Sequence, residues 1–190
     1  MNQSFLIIHG LGGSGIDHWQ TWLFHELTER NYPVFYPTFS NFNSPNKRVW
    51  LEELSSCIEK IPKEHSLTVI THSLGCLLWM HYAEAQNKQI ANHTILVAPP
   101  TPTLVLPEAK SFYPVPLNRN QLQRASDQTL LIHSTDDPYC SIEDSIHYSR
   151  LGIPSLSFPN MGHINADSGH SKWPWILDLC LNTSKSTVLI

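Results

Sequence analysis

The sequence predicts an α/β protein: one domain on a mostly parallel six-stranded sheet, with helices on both faces. Three observations lead there. Six short apolar, β-rich runs alternate with amphipathic helical stretches, and strands separated by helices form βαβ crossovers. The 190 residues correspond to roughly one domain of about 100–200 residues. A chain of this length buries about 70% of its unfolded surface, enough for one large core. Hydrophobic residues make up 41% and charged residues 15%, which argues against a disordered chain or a coiled coil.

The first strand candidate is Phe5 to Ile8, ending in the turn-rich stretch His9-Gly10-Leu11-Gly12-Gly13-Ser14-Gly15. Asp17, with Gln20 three residues on, has the spacing of a capping box. Trp19, Trp22, Leu23 and Leu27 then follow at helical spacing. Val34 to Tyr36 is a second short strand, closed by Pro37. Beyond a polar loop at Asn41 to Asn46, Leu51, Leu54, Ile58 and Ile61 form the apolar stripe of a helix that Pro62 ends. Leu67 to Ile70 is the third strand, and a helix over Leu74 to Gln86 follows almost at once. Thr94 to Ala98 and Thr129 to Ile132 are the fourth and fifth strands. Ser141 caps a helix with Glu143 and Asp144 in its first turn and Gly152 past its end. Ser155 to Phe158 is a weaker sixth strand. A last helix carries Trp175, Ile176 and Leu179, with Pro174 in its first turn. The tail at 183–190 is expected to fray.

The one break in composition is 99–117, where six prolines occur. This stretch shows no clear periodicity and leaves the C-terminal end of a central strand, where α/β sheets bind ligands. It therefore reads as a functional loop or lid, against the plainer reading of a surface excursion.

Charge and hydropathy exclude several partners. Twelve Lys and Arg face sixteen Asp and Glu, for a formal net charge of −4. No basic run exceeds Lys47–Arg48, so no nucleic-acid partner is expected. No apolar run approaches the roughly 20 residues of a membrane span, and no membrane partner is expected. The start, MNQSFLIIHG, lacks the basic and long apolar regions of a signal peptide. The expected location is cytoplasmic, with Cys57, Cys76, Cys140 and Cys180 as buried free thiols.

The strongest chemical signal is Thr71-His72-Ser73-Leu74-Gly75. A buried strand running straight into a helix with serine at the turn is the context of a nucleophile elbow. Thr71 stands where a smaller residue is usual. The competing reading of Ser73 is an ordinary helix N-cap. A serine needs a base within hydrogen-bond reach and an acid behind the base. The fifth strand ends in Ser134-Thr135-Asp136-Asp137-Pro138. Asp137 is the favoured acid, because Pro138 fixes an extended turn after it; Asp136 reads as a solvated loop residue or turn-former. After the sixth strand, Gly162 allows a tight turn and His163 becomes the base, with His170 as the fallback. The order Ser73, Asp137, His163, each after a separate strand, is the Ser…Asp…His order of α/β-hydrolases. The backbone N–H groups of Leu11 and Leu74 form the expected oxyanion hole. The glycines of the first loop match neither GxxxxGK[ST] nor GxGxxG. His9, His72 and His133 fall at strand ends but carry no zinc spacing. No metal and no cofactor is expected. Trp19, Phe112, Tyr113 and Tyr139 lie nearest the active-edge loops and are candidates to wall an apolar acyl pocket.

Together these residues resemble the small serine hydrolases of the retinoblastoma-binding protein nine and YdeN-like type. The resemblance covers nearly the whole chain. It rests on Asp17-His18-Trp19 with Trp22-Leu23, on His72-Ser73-Leu74-Gly75-Cys76, on Ser134-Thr135-Asp136-Asp137-Pro138 and on Gly162-His163. It implies a reduced α/β-hydrolase fold without the N-terminal antiparallel hairpin, sheet order 2-1-3-4-5-6, and a triad at Ser73, Asp137 and His163. The expected function is hydrolysis of small carboxylic esters or amides through an acyl-enzyme. The alternatives are a catalytically idle binding protein on the same scaffold, or acyl transfer to an acceptor other than water.

Overall fold

The computed structural model describes residues 2–182, so the tail at 183–190 lies outside the described residues. Six strands form the sheet: β1 (Gln3–Ile8), β2 (Val34–Phe35), β3 (Ser66–His72), β4 (Ala91–Val97), β5 (Ser126–Ser134) and β6 (Ser155–Phe158). Their order is β2-β1-β3-β4-β5-β6, as the resemblance implied. Every neighbouring pair is parallel, so the sheet is wholly rather than mostly parallel. β3 and β5 outrun their apolar runs. Polar ends still join the ladder, with His72 opposite Val97 and His133 opposite Ser157. Backbone pairing sets strand length, and side-chain polarity does not reveal it.

The helices are α1 (Trp19–Glu29), α2 (Lys47–Ile58), α3 (Leu74–Glu84), α4 (Arg119–Ala125), α5 (Ile142–Ser145) and α6 (Pro174–Asn182). Successive residues of β1 divide between two cores. Phe5 and Ile7 pack with Leu23 and Leu27 of α1 and Ile176 of α6. Leu6 and Ile8 pack with Trp50 and Leu54 of α2 and Leu77 and Leu78 of α3. This is the period-two alternation of a strand covered on both faces.

Four local expectations change. α1 is capped by His18, not Asp17: the His18 Nδ1 accepts the Gln20 N–H at 3.1 Å. The Gln20 side chain does not close a capping box, because it donates to the Ile8 carbonyl at 3.0 Å and accepts from Ser14. Ile61 lies beyond the end of α2, whose buried residues are Trp50 and Leu54. Within 99–117, Pro107–Phe112 forms a 3₁₀ helix, with Ala109 and Phe112 buried. α4 was not expected, since its seven residues bury only Leu122 and Ala125. Ser141 does cap α5, accepting from Asp144 N–H. A 3₁₀ turn over Ile146–Leu151 continues α5 to Gly152, at φ 58°.

Candidate active site

β3 delivers Ser73 directly to the first turn of α3. Ser73 has φ 52° and ψ −124°, a left-side conformation that a residue with a Cβ adopts only under strain. Its hydroxyl makes no capping bond to α3, which sets aside the N-cap reading. Two glycines let the chain approach here. A Cβ on Gly75 would lie 2.7 Å from both the Ile8 and His9 carbonyl oxygens. A Cβ on Gly10 would lie 2.8 Å from the Ser73 Cβ. Thr71 fits because its Oγ1 lies 3.2 Å from the Ile95 carbonyl and 3.0 Å from the Cys76 sulfur.

The three side chains expected to act together do meet. The Ser73 hydroxyl lies 2.9 Å from His163 Nε2. The His163 Nδ1–H faces both Asp137 carboxylate oxygens at 2.9 Å. The Asp137 side chain is 1% exposed and that of His163 8%, so bulk water screens this pair little. The Tyr139 N–H donates to Asp137 Oδ1 at 2.9 Å and fixes the carboxylate plane. The fallback His170 instead has its Nδ1 3.3 Å from the Ser168 hydroxyl.

Side chains from the other active-edge segments grip the loop that carries His163. Thr135 Oγ1 accepts the Asn160 N–H at 3.1 Å, and the Ser134 hydroxyl oxygen accepts the Met161 N–H at 2.9 Å. Asp136 Oδ1 accepts the Gly162 N–H at 2.8 Å. His72 Nε2–H donates to the His163 carbonyl at 3.0 Å. Trp19 Nε1–H donates to the Ile164 carbonyl at 2.7 Å. Five consecutive residues are thereby tied. Sequence reasoning missed the roles of Asp136, His72 and Trp19 in this grip. Their clustering in the Ser-Thr-Asp-Asp, His-Ser and Asp-His-Trp motifs was the available signal.

The Leu74 amide directly follows Ser73. Leu74 opens α3, so its N–H has no acceptor within the helix. Leu11 follows Gly10, which abuts Ser73. Of the four pocket-wall candidates, Trp19 and Phe112 are fully buried and offer no surface to a substrate. Trp19 packs on His72 and Trp173, and Phe112 on Trp50. Tyr113 is half-buried, with its hydroxyl on the Thr101 carbonyl. Tyr139 is 48% exposed, and its ring centre stands 4.5 Å from that of His163.

Three histidines packed around the site, His72, His18 and His9, are pushed below the ordinary range. Burial pushes His72 well below its ordinary range, and the neighbouring His163 and His18 add to this. His18 is lowered to about 4, by burial first and then by His163, His170 and His9. His9 is lowered by burial, and its Nε2 accepts the Phe39 N–H while its Nδ1–H faces the Gly10 carbonyl. Among the described residues no group of three or more His, Cys, Asp or Glu is arranged to hold a metal ion. Cys57 is half-buried, and Cys76, Cys140 and Cys180 are buried. Burial raises Cys76 and Cys140 to about 12. No described helix is long and apolar enough to cross a membrane.

Solved structures share this fold. The ydeN gene product of Bacillus subtilis matches at TM-score 0.84 and 20% identity, covering 98% of this chain and 100% of its own. A YdeN-like protein of Pectobacterium atrosepticum matches at TM-score 0.73 and 19% identity, covering 96% and 91%. The monoacylglycerol lipase of Paleococcus ferrophilus matches at TM-score 0.68 and 14% identity, covering 95% and 94%. No curated protein sequence matches the chain. The family model described as serine hydrolase matches residues 5–182. The fold is that of the α/β-hydrolases, and the chain belongs to the serine hydrolase family.

Proposed function

We propose that the protein hydrolyses small carboxylic esters or amides through an acyl-enzyme, using Ser73, His163 and Asp137 as its triad. The observation that carries this reading is the unbroken relay from Ser73 Oγ through His163 to Asp137, with each step at 2.9 Å. Neutral His163 takes the Ser73 proton as Oγ attacks the acyl carbonyl. Asp137 holds the Nδ1–H tautomer and stabilises the imidazolium that forms. The Leu11 and Leu74 amides donate to the oxyanion. His163 then returns the proton to the leaving group, and a water activated by the same imidazole releases the acid.

The similarity to a monoacylglycerol lipase favours an ester carbonyl. With two of the four candidate walls buried, Tyr139 is the main aromatic boundary, which suits a short acyl group. The lid role falls to 102–106, where Leu104 and Val105 are exposed, because Phe112 and Ala109 lock the rest of that segment into the core. A fluorophosphonate probe should label the wild type at Ser73 and fail on Ser73→Ala. No labelling of well-folded wild type would overturn the catalytic reading. Short p-nitrophenyl esters should turn over faster than long ones, and the reverse order would overturn the substrate assignment.

A further inference from the structure

We propose that Asp136, the carboxylate beside the proposed triad acid, is a positioning residue that sets His163 through the backbone of Gly162. This inference rests on the catalytic reading of His163 given above. The two adjacent carboxylates divide the work by direction. Asp137 turns inward and meets the imidazole. Asp136 is exposed, and its carboxylate meets the backbone before His163 instead of the ring. Its Oδ1 takes two donors, the Ser134 hydroxyl at 2.6 Å and the Gly162 N–H at 2.8 Å. Gly162 is the residue directly before His163.

The linkage is rigid at both ends. Ser134 is fully buried at the end of β5, so one anchor of the Asp136 carboxylate belongs to the sheet. The Ser134 oxygen also accepts the Met161 N–H, so Ser134 and Asp136 together hold two successive peptides of the base loop. Gly162 has φ 54°, and a Cβ there would come within 2.7 Å of the Ser168 Cβ. The loop therefore has little freedom to relax by local substitution or side-chain shift. The bond that the Gly162 N–H donates to the Asp136 carboxylate is charge-assisted, the stronger kind. Donation from Ser134 and Gly162 keeps the Asp136 carboxyl below its usual range, so the accepting carboxylate form persists at neutral pH.

The acceptor needed at position 136 is one oxygen, Oδ1, and both donors use it. Asparagine keeps such an oxygen, whereas alanine has none. At position 137 asparagine does not serve, because an amide cannot supply the negative charge that the imidazolium needs. The two neighbouring positions therefore respond oppositely to the same substitution.

The experiment compares the wild type, Asp136→Ala, Asp136→Asn, Asp137→Asn and Ser73→Ala, each as the full chain. It records kcat and KM on p-nitrophenyl acetate, together with Tm. Displacing a catalytic group by about 1 Å costs on the order of 10²-fold in rate. Asp136→Ala should lose about that much kcat per folded molecule with KM nearly unchanged, and Asp136→Asn should recover most of it. Wild-type kcat in folded Asp136→Ala would overturn the proposal. So would an Asp136→Asn that is well folded yet as impaired as Asp137→Asn, and this arm decides the matter if the alanine variant fails to fold. Full activity in Ser73→Ala would instead overturn the catalytic reading itself.

Discussion

Replacing His18 by asparagine should flatten the dependence of stability on pH on the acid side of neutrality. In the folded protein His18 sits at about 4, against an ordinary value of 6.5. Between those values the unfolded chain binds a proton at this residue and the folded chain does not. Stability is therefore fully present above about pH 6.5 and is lost as the pH falls toward 4. One such proton contributes at most about 1.4 kcal/mol per pH unit, or about 3 kcal/mol over the whole window. Asparagine is a good N-cap, and its side-chain oxygen can accept the Gln20 N–H that His18 Nδ1 accepts now. The variant also loses the ring's packing against His72 and Trp19. That loss is independent of pH and offsets the whole curve without tilting it. Urea unfolding measured between about pH 7 and pH 5 separates the two effects. With a urea dependence of about 2 kcal/mol per molar, the wild-type midpoint should fall further than that of His18→Asn, by at most about 0.7 M per pH unit. His72 keeps its own acid sensitivity in both proteins. Parallel curves for the two proteins would refute the assignment of a neutral, proton-refusing His18.

Three further outcomes follow from the same geometry. Asp137→Asn should fold normally and lose turnover by roughly 10⁴-fold, the loss seen when the orienting acid of such a triad becomes an amide; steady-state kinetics beside a thermal melt checks this. Gly75→Ala puts a methyl group 2.7 Å from two backbone carbonyls and should destabilise the fold by about 1–3 kcal/mol or more. An unchanged Tm would show that β1 and α3 do not approach as described. Toward a thiol reagent such as Ellman's, only half-buried Cys57 should react readily in the native protein. Cys76, Cys140 and Cys180, whose thiols burial pushes up, should react only on unfolding, as a native-state titration would record.

Strand existence and order along the chain were legible because buried parallel strands are apolar on both faces, as in Phe5 to Ile8. Their ends were not, since His72 and Ser134 pair through the backbone irrespective of side-chain type. α4 escaped notice because Arg119–Ala125 is too short to display a period. The helix cap shifted by one residue because a buried ring nitrogen of His18 does what an aspartate oxygen was expected to do. Ser73, Asp137 and His163 were legible because each follows its own strand, and parallel strands bring such positions to one edge. Between the neighbours Asp136 and Asp137, turn chemistry favoured Asp137, whose carboxylate oxygens lie 2.9 Å from His163 Nδ1. The role of Asp136 itself depends on a partner 26 residues away, and no local pattern encodes that. Trp19 and Phe112 were misplaced for a related reason. Proximity in sequence to an active-edge loop does not say whether a ring points into solvent or into the core.

The conformation of Ser73 bears on why such a chain would exist at all. At φ 52° glycine would be at ease, and serine costs about 1–3 kcal/mol there, offset in part by the greater freedom glycine has when unfolded. Glycine here would relieve that strain, since the Cβ and not the hydroxyl creates it. Retaining serine concedes robustness for a hydroxyl at this turn, a trade that the proposed nucleophile would account for.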